Sequence, residues 1–320
     1  MTERNLNPNP KLNALIDNIE KVIVGKRNAI ELIVAAMLAG GHILIEDVPG
    51  VGKTQLVSAL ANSCKGVFGR LQMTPDIMPT DITGFTMINT LTHESEFRKG
   101  AAFCNFLLAD EINRSSPKSQ SALLEIMEEQ QVSMDGTTYP LPRPFMVLAT
   151  QNPVETYGTY HLPEAQMDRF LMRIAMGYPS PREEMDILAR YVHDNPREHL
   201  AAVVSDQDIL ALQTQARNIF VSEKVMEYMV ALVNRTRNHP SLELGVSPRG
   251  TLALMRAAQG SALLQGRNYC LPDDVQRVAI PVLAHRLALK PEAKYKELTC
   301  ERIMAAILKE VRIPVMGEVK

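Results

Sequence analysis

The chain has 320 residues, 46% of them hydrophobic, enough to bury a large core across two domains. Its 34 basic and 36 acidic residues leave a net charge of −2, which gives no electrostatic ground for binding nucleic acid or a membrane surface. Cys64, Cys104, Cys270 and Cys300 lack metal-ligand spacing and suggest no disulfide framework, so they read as small buried hydrophobes in a reducing compartment.

The first ten residues, MTERNLNPNP, are polar and broken by proline, and read as a flexible arm without the apolar centre of a signal peptide. The stretch from Ile33 to Ile45 is too short to span a bilayer and is split by Gly40 and Gly41. It reads as the end of a buried helix followed by a strand. A soluble, cytoplasmic protein with no membrane insertion is expected.

From there to about residue 180, short apolar runs alternate with helical patterns. HILIE (42–46), VFGRLQM (67–73), NFLLAD (105–110), FMVLAT (145–150) and FLMRIAM (170–176) are predicted strands. Lys53 to Cys64 and Pro117 to Gln130 carry apolar residues at helical spacing. Such alternation predicts a parallel sheet covered by helices on both faces.

The junction of the first strand and the next helix reads DVPGVGKT. It resembles the phosphate-binding pattern G-x-x-x-x-G-K-[ST] from Gly52 onward. Asp47 stands where the first glycine is expected, and Gly50 supplies flexibility inside the loop instead. A plain glycine-rich turn with a surface lysine is the alternative, but a position between strand and helix is what a phosphate cradle requires. Backbone N–H groups can turn toward phosphate oxygens there, and the positive end of the helix points at them. Lys53 would reach the outer phosphates and Thr54 would hold magnesium. The predicted nucleotide contacts are Asp47, Pro49, Gly50, Val51, Gly52, Lys53, Thr54 and Gln55.

FLLADE then ends an apolar strand in two carboxylates. A parallel strand next to the first would deliver Asp110 to the magnesium shell and Glu111 to an attacking water. VLATQNP ends the following strand in Asn152, an uncharged amide suited to orienting a water or a terminal phosphate, although Asn-Pro is also an ordinary turn signal. Two segments interrupt this core. Residues 74–99 hold Pro75, Pro79 and Gly84 where one helix would otherwise run, and residues 131–143 contain the tight-turn pair Asp135-Gly136.

After Tyr178-Pro179-Ser180-Pro181 the strands stop, and helices are predicted at 182–194, 206–218, 223–238, 248–265 and 272–287. Ser222 can cap one, and Ser247-Pro248 opens another. The division is a nucleotide-binding core over 1–180 and a helical domain over 181–320. Arg249 falls inside a first helical turn, where a cation opposes the helix dipole at a cost of about 0.3–1 kcal/mol. That placement makes sense if an anion sits opposite.

Together DVPGVGKT, FLLADEINR, VLATQNP, LPEAQMDRF and GVSPRG resemble the AAA+ ATPases, specifically the MoxR family, over roughly residues 11–310. The resemblance implies an α/β fold: an αβα core with a five-stranded parallel sheet, followed by a helical lid, usually assembled as a ring of six. It implies hydrolysis of ATP with Mg2+. It assigns Asp110 to magnesium, Glu111 to water activation, Asn152 to the first sensor position and Arg249 to the second sensor on the lid. Arg169 matches the arginine finger offered to a neighbouring subunit, with Arg173 and Arg114 as alternatives. The interrupting segments become the helix-two insertion and the hairpin before the first sensor. Members act as chaperone-like ATPases on protein clients, often with von Willebrand factor A domain partners, maturing complexes or inserting metal cofactors.

Rival functions fit less well. A nucleic-acid motor of similar architecture would want basic and stacking residues on its hairpins, yet 131–139 holds no basic residue and the chain has no tryptophan. A small-molecule kinase needs neither the long helical domain nor Asn152 and Arg249 together. A GTPase would need Asn-Lys-x-Asp, which is absent. A non-catalytic scaffold is at odds with Glu111.

Overall fold

Two helices precede the first strand in the computed structural model, which describes residues 9–90, 93–153, 158–192 and 199–314. The arm expected over 1–10 lies outside them up to residue 8, while Asn9 and Pro10 already belong to a helix start. α1 (Pro10–Glu20) begins on Asn9, whose side chain accepts from the N–H groups of Lys11 and Leu12, with proline in the first turn. α2 (Arg27–Leu38) buries nine of its 12 residues, which is why its sequence shows no polar stripe.

The core continues through β1 (Ile43–Glu46), α3 (Lys53–Ser63), β2 (Phe68–Gln72), α4 (Pro79–Thr83), β3 (Gly84–Ile88), β4 (Ser95–Lys99) and β5 (Phe106–Asp110). It ends with α5 (Pro117–Glu129), β6 (Gln131–Met134), β7 (Thr137–Pro140), β8 (Met146–Gln151), α6 (Glu164–Met167) and β9 (Met172–Ile174). The five predicted strands form one parallel sheet in the order β2-β5-β8-β1-β9. The inner strands β1, β5 and β8 read as nearly unbroken apolar runs because both faces are covered, whereas the edge strand β2 carries Gly69, Arg70 and Gln72 and buries none of its residues fully. The expected adjacency of the first strand and the Asp110 strand is corrected: β8 lies between them. The crevice is nonetheless shared, because Ala109 pairs with Ala149 and Ile45 with Thr150, so the carboxyl ends of β5, β8 and β1 are level.

Segment 74–99 contains a second hairpin that sequence periodicity did not reveal, β3 paired antiparallel with β4. The Asp135-Gly136 turn closes β6 on β7, with both residues at positive φ. The hairpins lean on each other where Phe97 stacks on Tyr139, centroids 4.1 Å apart and rings 13° from parallel.

Beyond residue 180 come α7 (Pro181–Tyr191), α8 (Asp206–Arg217), α9 (Glu223–Arg237), β10 (Leu242–Leu244), α10 (Pro248–Leu264), α11 (Pro272–Leu283), β11 (Ala288–Leu289), α12 (Pro291–Tyr295) and α13 (Cys300–Glu310). Strands therefore do not stop at 180, since β10 and β11 form a small antiparallel ribbon. The helix expected over 272–287 gives way to a 3-10 turn after Leu283, and residues 193–194 of the predicted 182–194 helix lie outside the described residues. α13, not anticipated, starts on a Thr299 cap and buries Ile303, Met304 and Ile307 on one stripe.

The change in element type near residue 180 is not a break in the core. Leu12, Ile33, Ile45 and Leu60 share one hydrophobic cluster with Ile209, Leu254, Val278 and Met304. α10 approaches α2 so closely that a Cβ on Gly260 would sit 2.5 Å from the Ala35 carbonyl oxygen, so the contact requires glycine. A second cluster, including Leu107, Leu124, Val147 and Phe170, fills the other face under α5. Cys64, Cys104 and Cys270 are buried and all four cysteines are free; burial pushes the Cys104 and Cys270 thiols up to about 12.

Candidate active site

In a doubly wound sheet, ligands bind at the carboxyl ends of the strands where strand order reverses, and β1, with β8 on one side and β9 on the other, ends at such a point. A cleft of about 350 Å³ opens there, lined by Pro49, Gly50, Gly52, Lys53, Thr54, Gln55, Arg70, Asp110, Glu111 and Asn152. Residues separated by a hundred positions in sequence are gathered because β1, β5 and β8 end level.

The loop geometry follows from its glycines. Gly50 and Gly52 have φ of +84° and +89°, a region closed to most side chains. Gly52 is the N-cap of α3, with no side-chain cap and no acidic residue in the first turn. The first N–H groups of α3 thus keep their donors and the positive end of the helix is uncompensated, which is what an anion needs. Lys53 Nζ lies back over the loop, donating to the carbonyls of Asp47 at 3.0 Å and Val48 at 3.3 Å. A buried amide oxygen of Gln55 has no partner. The N–H groups of the helix start and the Lys53 ammonium form a donor set that fits the phosphates of a nucleotide, to which the Gln55 oxygen, an acceptor, adds nothing.

Asp47 plays a different part from the one its place in the motif suggested. Its Oδ1 accepts from Val48 N at 2.9 Å, and its Oδ2 from Met176 N and Gly177 N at 2.7 Å each. Its carboxylate ties the loop to the chain leaving β9 instead of facing the cleft. Its backbone is not left-handed, so no glycine is required at that position.

The carboxylates form a network with neighbours that sequence reading missed. Thr150 Oγ1 donates to Asp110 Oδ1 at 2.7 Å and accepts from Glu111 N at 2.8 Å. This single buried hydroxyl at the end of β8 fixes both acids. Asp110 Oδ2 meets Arg70 Nη2 at 2.9 Å. Glu111 Oε2 accepts from Gln72 Nε2 at 2.8 Å and lies 3.4 Å from Arg114 Nη1. Glu111 has φ of +59°, a strain of roughly 1–3 kcal/mol for a residue with a Cβ, of a kind that collects at functional sites. The available signal was positional: Gln72 and Thr150 lie at or next to strand ends that face the crevice. Magnesium would fit a hydroxyl, one carboxylate and phosphate oxygens, and Thr54 and Asp110 line the same cleft. Among the described residues no group of three His, Cys, Asp or Glu side chains could hold a metal by itself.

Arg169 and Arg249 are absent from the cleft lining. Both instead meet Glu128 on α5, which lies 3.0 Å from Arg169 Nη1 and 3.2 Å from Arg249 Nη2. Of the alternatives for the finger, Arg173 is paired with Glu46 and Glu301, and Arg114 faces its own Glu111.

Comparison with known proteins adds two family matches. Residues 42–172 match the model described as ATPase family associated with various cellular activities (AAA), and residues 234–307 match the AAA lid domain. The chain is 51% identical over 306 residues to YeaC of Bacillus subtilis (strain 168), covering 96% of each chain. It is 42% identical over 317 residues to Chaperone MoxR1 of Mycobacterium tuberculosis, covering 96% of this chain and 84% of that one. It is 34% identical over 297 residues to Protein MoxR of Methylorubrum extorquens, covering 85% and 86%. A crystal structure from Cytophaga hutchinsonii, described as a candidate ATPase, superposes with a TM-score of 0.89 at 40% identity over 95% of each chain.

Proposed function

The chain belongs to the MoxR family of AAA+ ATPases, and from that premise we propose that it hydrolyses magnesium-ATP between the subunits of a ring and uses the cycle to remodel or mature protein complexes. The observation that carries the reading is the gathering of Lys53, Thr54, Asp110, Glu111 and Asn152 around one cleft. Lys53 and the first N–H groups of α3 hold the outer phosphates. Thr54 and Asp110 would hold magnesium, which when bound neutralises phosphate charge. Glu111 takes the proton of the attacking water, and Asn152 orients that water or the terminal phosphate. Among the described residues Arg70 is the arginine that lines the cleft, and it is engaged with Asp110, as nearby Arg114 is with Glu111. Arg169 of a neighbour supplies the positive charge on the transferred phosphoryl group in this reading.

Self-association has further support. Met185, Leu188 and Val192 recur along one side of α7 and its cap and are 66–68% exposed, an apolar stripe that a second copy of the chain would cover. Six subunits, a von Willebrand factor A domain partner, cofactor insertion and a cytoplasmic site are parts of the same proposal that rest on family likeness. Among the described residues no helix is long and apolar enough to cross a membrane. Nothing favours a nucleic-acid motor, since the β6–β7 hairpin carries no Lys or Arg from 131 to 140.

Two variants test the cleft. Lys53→Ala should lose most ATP binding in a direct titration, whereas Glu111→Gln should bind ATP and cleave it at least about 100-fold more slowly. Unchanged affinity in the first, or normal turnover in the second, would overturn the assignment.

A further inference from the structure

α5 ends in an arrangement that helix stability alone does not explain. Glu125, Glu128 and Glu129 crowd its last turns, which hold no basic residue, so carboxylates face the negative end of the helix dipole. The compensation comes from outside the helix. One carboxylate, Glu128, reaches Arg169 from the core at 3.0 Å with one oxygen and Arg249 from the lid at 3.2 Å with the other. Arg169 Nη1 is fixed further by donating to the Leu124 carbonyl at 2.8 Å.

The segment carrying Arg169 is also bound to the lid. Asp168 Oδ1 accepts from Arg286 Nε at 2.6 Å, and its Oδ2 from Ser247 Oγ at 3.3 Å. Ser247 is the N-cap of α10, the helix on which Arg249 sits. The two arginines therefore stand on one connected framework. An open notch of about 290 Å³, lined by Glu125, Glu128, Glu129, Gln166 and Arg169 among others, lies beside them.

We propose that Glu128 is a positioning residue for ATP hydrolysis, holding Arg169 and Arg249 side by side as a single unit presented to the terminal phosphate in the neighbouring subunit. The proposal rests on the reading of Arg169 as acting across a subunit boundary. Two guanidinium groups held together repel each other, and a carboxylate between them removes that repulsion. Each guanidinium has five N–H donors in a planar fork, so a bond to Glu128 leaves donors free for a phosphate. Fixing the forks beforehand avoids reorganisation when charge develops on the phosphoryl group. Glu128 is half exposed, so it can be replaced without opening the core.

The test is Glu128→Gln in the full chain, with Glu125→Gln as the matched control on the same helix. The amide keeps the shape but offers one neutral acceptor where two arginines need two oxygens. Turnover at saturating ATP should fall about 10-fold, the scale expected when a partner that orients a reacting group is removed. The KM for ATP, the affinity for ADP by titration and the melting temperature should stay at wild-type values, because the subunit's own cleft is untouched. Glu125→Gln should turn over as wild type. Added to Arg169→Ala, whose residual turnover is followed over long incubations, Glu128→Gln should cause a smaller fall than it does in wild type, because only Arg249 is left for it to hold. Wild-type turnover in Glu128→Gln, an equal loss in Glu125→Gln, a loss confined to KM, or an additive loss in the Arg169→Ala background would each overturn the proposal. Normal hydrolysis by Arg169→Ala would overturn the subunit-boundary reading itself, and the role of Glu128 with it. An inactive Arg169→Ala beside an unaffected Glu128→Gln would remove Glu128 alone.

Discussion

Restoring the first glycine of the phosphate-loop pattern should damage this protein. Asp47 accepts three backbone hydrogen bonds, from Val48, Met176 and Gly177, at 2.7–2.9 Å, and only 7% of the residue is exposed. Asparagine has one acceptor oxygen in place of two, so its Nδ2 must face at least one of those N–H groups. One orphaned buried donor costs about 1–3 kcal/mol, and loss of charge assistance in the remaining bonds brings the total to about 2–4 kcal/mol. Asp47→Gly removes all three acceptor contacts and gains nothing from added freedom, because residue 47 is not left-handed. It should be destabilised at least as much. Urea unfolding of wild type, Asp47→Asn and Asp47→Gly would give these differences, and titration with ADP should show weaker binding by both variants, since the loop loses its anchor on the chain after β9. An Asp47→Gly protein as stable as wild type, or binding ADP as tightly, would refute the anchoring argument.

Thr150→Val keeps shape but deletes the hydroxyl that joins Asp110 to the Glu111 backbone, leaving a donor without its acceptor. It should lose about 1–3 kcal/mol in urea unfolding, and turnover should fall while ATP still binds; unchanged turnover would remove Thr150 from the site. His42 is fully buried, accepts from Val147 N at Nδ1 and meets the Met127 carbonyl at Nε2, and desolvation pushes its pKa down to about 4. Its neutral form is the folded one, so its contribution is present above the unfolded value near 6.5 and is lost as pH falls through 4. Between pH 7 and pH 5 this amounts to about 2 kcal/mol, and to about 3 kcal/mol below pH 4. His285, also buried and pushed down, adds in the same direction, so the comparison is with His42→Asn, whose urea midpoint should fall less steeply over that range. Parallel curves would show that His42 does not titrate in this way.

What could be read in the sequence was chemistry contiguous in the chain. Gly52, Lys53 and Thr54 are adjacent, and Asp110 and Glu111 follow an apolar run directly, so strand, loop and helix each left a local pattern. Relations across strands left none. The place of β8 between β1 and β5 depends on sheet order, which apolar runs do not encode, and the bonds of Thr150 and Gln72 to the two acids follow from that order and its register. The Asp47 anchor and the Glu128 bridge join positions far apart in sequence, and nothing in either one's immediate neighbours marks it. The β3–β4 hairpin was hidden because it turns little toward the core: Phe85, Met87 and Ile88 on β3 are exposed and β4 is largely charged, so no in–out alternation marks either strand. The β10–β11 ribbon was hidden because three-residue and two-residue strands have no period to detect.

The central claim is that each cleft is completed by Arg169 from the next subunit, a contribution worth about 10³–10⁵ in rate when an arginine acts across a boundary. Arg169→Ala keeps its cleft but lacks the finger; Lys53→Ala lacks a working cleft but keeps the finger. Each alone should release almost no phosphate. Mixed at several ratios, with size measurements in ATP showing that the subunits assemble and exchange, they should recover activity that rises and then falls with composition. The rise comes from interfaces where an intact Arg169 faces an intact Lys53. Confirmed mixed assemblies that remain inactive at every ratio would contradict the account.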